Sequence, residues 1–163
     1  MKYEPALDLQ IIAEEISRML YPHVITERVK CFRSYGSSSR GTIARCHALG
    51  KLMQKALGVK AHYALEFLHE RFDKLPEEEK LKVIIHELMH IPKTFGGGFK
   101  HHDFVCEKNV NLHYKQYKSR KGIEQSSNPN RPSLVDLKEY KNGNGEKVAD
   151  KVESRESKGW FRL

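Results

Sequence analysis

The chain has 163 residues, 39% of them hydrophobic and 31% charged, with a formal net charge of +8. That is enough for one domain with a real core, while no apolar run approaches the ~20 residues of a membrane-spanning helix. Three cysteines, Cys31, Cys46 and Cys106, are odd in number and lack short paired spacing, which argues against a disulfide scaffold or a zinc ribbon.

Residues 6–20 carry Leu9, Ile12, Ile16 and Met19 on one stripe, which predicts an amphipathic helix stopped near Tyr21 and Pro22. Residues 23–35 are rich in β-branched and aromatic side chains and predict a strand or irregular hairpin. Residues 36–41, with two glycines and three serines, predict a turn or mobile loop. A second helix is expected over residues 42–57, with Ala44, Ala48, Leu52 and Ala56 facing inward and Gly58 at its end. Residues 61–68 alternate Tyr63, Leu65 and Phe67 and predict a strand. A helix of about four turns is expected from Pro76 to Ile91, because Pro76, Glu77, Glu78 and Glu79 suit a helix start and Pro92 forces a stop. Residues 104–117 space Cys106, Val110, Tyr114 and Tyr117 as a closing helix. From Ser119 onward large apolar residues are few until Trp160 and Phe161, so residues 1–118 are expected to form the domain and 119–163 a flexible basic tail.

The most informative stretch is His86-Glu87-Leu88-Met89-His90. On a helix it sets two imidazoles one turn apart on one face with a carboxylate beside them, half of a metal site plus a general base. Leu81, Ile84, Ile85, Leu88, Met89 and Ile91 fall on the opposite side, where a core would lie. A third ligand has to come from outside this helix. Three glycines, Gly96 to Gly98, allow the backbone to turn back, and His101 and His102 follow. His102 is preferred, since it precedes Asp103 at an apparent helix start, with His101 as the alternative.

The run Val83 to Pro92, a glycine-rich linker and then His102-Asp103-Phe104 resembles the metallopeptidases of phages and archaea and, more broadly, the SprT-like zincins. The resemblance implies an α+β minimal zincin fold, a small sheet with an active-site helix and flanking helices. It also implies one catalytic zinc ion held by His86, His90 and His102, Glu87 as the catalytic base, and peptide hydrolysis.

On that reading zinc acidifies a water, Glu87 takes its proton, and a strand over residues 61–67, if it forms the sheet edge, holds an extended peptide. Tyr63, Tyr114 and His101 are candidates to stabilise an oxyanion. The expected partner is a protein or peptide substrate. The basic segment 28–55, with Arg28, Lys30, Arg33, Arg40, Arg45, Lys51 and Lys55 against the single acid Glu27, adds a possible association with nucleic acid. A cytoplasmic setting without membrane contact is expected. Two rival functions fit the same residues: a zinc-dependent phosphodiesterase acting on RNA, and a noncatalytic module in which zinc staples the fold.

Overall fold

The computed structural model describes residues 1–127. It is an α+β fold with elements β1 (Lys2–Pro5), α1 (Leu7–Leu20), β2 (Val29–Tyr35), β3 (Ala44–Ala48), α2 (Lys51–Leu57), β4 (Tyr63–Leu68), α3 (His69–Phe72), α4 (Glu77–Met89) and α5 (Glu107–Ser127). The sheet order is β1-β2-β4-β3. β2 and β4 run parallel, whereas β1 pairs with β2 and β3 pairs with β4 antiparallel.

Alternation decides the packing. Val29 and Cys31 of β2 and Tyr63, Leu65 and Phe67 of β4 are buried together with Leu9, Ala13 and Ile16 of α1 and Ile84, Ile85 and Leu88 of α4. Each Val, Leu, Ile or Phe among them contributes about 1.5–3 kcal/mol on burial. α1 packs on β2 and α4, and α5 closes the bundle against both helices. Arg33 of β2 ties the layers at their edge. Its guanidinium grips both carboxylate oxygens of Asp8 at 2.7 Å and donates to Asp73 at 3.1 Å. Burial works to raise the Asp8 carboxyl, but hydrogen bonds and charge from Arg33 outweigh it and hold the pKa below its ordinary value.

The largest departure from the sequence reading is at residues 42–57. They do not form one helix. Ala44–Ala48 is strand β3, Gly50 takes an extended conformation, and only Lys51–Leu57 is helical, ended by Gly58 in the left-handed region at φ 66°. Tertiary pairing explains it. Arg45 and His47 point to the outer sheet face, where both reach the buried Glu66 of β4, at 3.2 and 2.7 Å. A strand period of two serves that clasp, and a helical period would not.

Three smaller differences follow. β1 was not foreseen, residues 26–28 form a single 3-10 turn rather than a hairpin arm, and the closing helix extends beyond Tyr117 to Ser127. Tyr117 anchors that helix by donating to Glu15 of α1. The tail expected from Ser119 therefore begins as helix. The remainder, residues 128–163, lies outside the described residues, as does Trp160 to Leu163.

Candidate metal centre

α4 turns its apolar side, Ile84, Ile85, Leu88 and Met89, into the core. Glu79, Val83, His86, Glu87 and His90 line the opposite side and floor a cleft of about 1000 Å³. Residues 41–47, which include most of β3, form one wall, and Phe99, Lys100, His101, His102 and Val105 form the other.

His86, His90 and His102 come together here, with one ring nitrogen of each within 4.8 Å of the others. The Nε2 atoms of His86 and His90 are 3.3 Å apart. Two nitrogens each about 2.0–2.1 Å from one tetrahedral ion stand about 3.3 Å apart, so this pair has the span such an ion requires. The His90 tautomer is fixed by its other nitrogen. Nδ1 meets the Lys100 carbonyl at 2.8 Å, and because a carbonyl only accepts, Nδ1 carries the proton and Nε2 presents a lone pair to the cleft. Lys100 N–H returns a 2.8 Å bond to the His90 carbonyl, so helix end and linker are joined twice. Burial, then the neighbouring rings His90 and His102, pull the His86 pKa down to about 4. Burial also lowers His90, outweighing the bond to the Lys100 carbonyl, which raises it, with His102 and His101 acting in the same direction as burial. Both imidazoles are therefore neutral at pH 7, the state in which they bind metals.

Glu87 sits beside this cluster, 5% exposed. Burial pushes its carboxyl up to about 8, opposed by a hydrogen bond from the Cys46 backbone N–H. That bond comes from the open edge of the sheet. Leu68 N–H donates to Ile43 and Leu49 N–H to His62, so the odd-numbered residues of β3 direct their backbone groups to β4. Ala44, Cys46 and Ala48 direct theirs off the open edge, the first two at the cleft. The sequence reading gave this edge to residues 61–67. The structure corrects it, because β4 lies between β2 and β3 and β3 is the edge.

The oxyanion candidates also separate. His101 lines the cleft. Tyr63 instead bonds the glycine linker, accepting from Gly97 N–H and donating to the Gly98 carbonyl. Tyr114 lies beneath the Lys82 ammonium rather than at the cleft wall. Sequence reasoning missed β3 and the Lys100 carbonyl. The alternation of small residues 44, 46 and 48 with Arg45 and His47 was a signal for the first, whereas a backbone partner leaves none.

Cys31, Cys46 and Cys106 are free thiols, and burial pushes Cys31 up to about 12. None joins the histidine cluster. Three cations of segment 28–55 have partners within the fold: Arg33 binds Asp8 and Asp73, Arg45 binds Glu66, and Arg28 donates to the Ala61 carbonyl and lies over Phe95. Lys51 and Lys55 are exposed on α2.

Fold and site together define an α+β domain built round three histidines able to hold a metal ion. The chain belongs to the family described as "Putative phage metallopeptidase", whose model matches residues 1–125. No curated protein and no solved structure matches it. The family implies a metal cofactor, and the three converging imidazoles fit one. Among the described residues no helix is long and apolar enough to cross a membrane.

Proposed function

We propose that the protein is a zinc-dependent peptidase in which His86, His90 and His102 hold the ion and Glu87 is the general base. The observation that carries this reading is Glu87 itself. A site that merely stapled the fold would have no use for a buried carboxyl group beside the histidines, hydrogen-bonded by the Cys46 N–H of the open sheet edge. Three imidazoles with no cysteine suit zinc at a catalytic centre.

When bound, the ion supplies Lewis-acid polarisation and makes water acidic enough to react near pH 7. The chain does the rest. Backbone groups of Ala44 and Ala48 and the carbonyl of Cys46 offer an extended peptide an additional strand position, which fixes its carbonyl over α4. Glu87 takes the proton of the attacking water and returns it to the leaving amine. His101, at the cleft wall, is placed to donate to the developing oxyanion.

The test is Glu87→Gln, which keeps size and removes the base. Metal content should be unchanged and hydrolysis of an unfolded protein substrate should fall about 10²–10⁴-fold. Undiminished hydrolysis at full metal occupancy would overturn the assignment.

A further inference from the structure

His102 is exposed and lies outside any helix or strand, yet it has to be presented to two rings fixed on α4. Its place is inherited from the backbone before it. The Tyr63 hydroxyl, at the start of β4, accepts from Gly97 N–H at 2.9 Å and donates to the Gly98 carbonyl at 3.0 Å. From α2, Gln54 Nε2 donates to the Gly96 carbonyl at 3.2 Å and to the Leu49 carbonyl at 2.6 Å. Three consecutive residues of the linker are thus bonded by two side chains.

The close approach requires glycine. Gly97 has φ +89°, and a Cβ there would lie 2.5 Å from the Leu49 carbonyl oxygen and collide with Gln54 Nε2. Just before it, Phe95 holds a φ of +46°, uncommon for a bulky residue, and its ring packs 4.9 Å from the ring of Tyr63. A strained turn persists only where its surroundings over-determine it. Here the surroundings are the end of β3, the start of β4 and α2. The chain then reaches the double bond between Lys100 and His90, and a turn in which Phe104 and Val105 N–H groups donate to the His101 carbonyl.

We propose that Tyr63 and Gln54 are positioning residues for the third ligand, clamping the glycine turn so that His102 is delivered to His86 and His90. The proposal rests on the metal-centre reading above. An unclamped linker would sample many conformations, and the ion would have to order it on binding. A clamped one has that ordering done by the fold, so the clamp sets metal affinity. It also ties the third ligand to the peptide-binding edge, since Leu49 directly follows β3.

The experiment measures zinc affinity of the full chain by competition with a chromophoric chelator, alongside the visible spectrum of the cobalt-substituted protein and thermal melts of the metal-free protein. Tyr63→Phe and Gln54→Ala should each weaken zinc binding about tenfold and Gly97→Ala about a hundredfold, with altered cobalt spectra. Tyr114→Phe, which removes a hydroxyl remote from the linker, should bind as the parent chain does. A merely structural role would lower the metal-free melting temperature and leave affinity and spectrum as they were, and that result overturns the proposal. If metal-free Tyr63→Phe fails to fold, Gln54→Ala decides alone. A parent chain that binds zinc but cleaves no peptide defeats the peptidase reading and leaves the clamp standing, whereas one that binds neither ion removes both.

Discussion

At the scale of single residues, His101 and His102 make the sharpest comparison. Both line the cleft, but only His102 brings a nitrogen into the cluster with His86 and His90. His102→Ala is therefore expected to lose zinc affinity by two orders of magnitude or more, whereas His101→Ala should keep it and lose turnover, as measured by metal titration beside kcat. Arg33 permits a second prediction. Removing a guanidinium that serves two partly buried carboxylates leaves Asp8 uncompensated and Asp73 to its bond with His69, and Arg33→Ala should cost about 2–3 kcal/mol in urea unfolding without changing metal affinity. The His-Glu pattern was legible because helical spacing alone sets two rings on one face. The choice between His101 and His102 was not, since adjacent residues on an irregular linker have no period, and only the anchored backbone separates them.

Among the elements, α1, α4 and β4 were legible for one reason: each repeats its large apolar residues at the period of its own element over enough residues to stand out. β3 was misread because Ala44, Ala48, Leu52 and Ala56 recur every four residues and imitate a helix stripe. What overrides that imitation is nonlocal, the clasp of Arg45 and His47 on Glu66, which no local window contains. β1, four residues long with mostly exposed side chains, carries too little pattern to be seen. The corrected edge assignment leads to a test at the same scale. Proline at position 44 removes an N–H that points off the open edge and leaves the pairing with β4 intact, as edge positions tolerate. Ala44→Pro should keep the fold and its zinc affinity while KM for a peptide substrate rises about tenfold, the equivalent of one lost hydrogen bond.

For the whole molecule, metal and acid act in opposite directions. An ion that binds only the folded chain at a hundred times its Kd adds about 2.7 kcal/mol, so zinc should raise the melting temperature by about 5–10 °C and a chelator should reverse it. The Asp8 carboxyl titrates lower when folded than when unfolded. Its contribution is therefore complete above the ordinary carboxylate range and disappears as pH falls through the folded value. Urea midpoints of the metal-free chain should drop between about pH 5 and pH 3, less steeply in Asp8→Asn.

The strand order carries a consequence for how the chain assembles. β4 slots between two strands made earlier, so the segment 44–48 has nowhere to dock until residue 68 has been synthesised. A nascent polypeptide emerging from the ribosome completes this wall of the cleft only with that late insertion, and α4 follows after the short α3. His86, His90 and His102 all lie beyond residue 68, so this wall can be complete before the three histidines able to hold a metal have been synthesised.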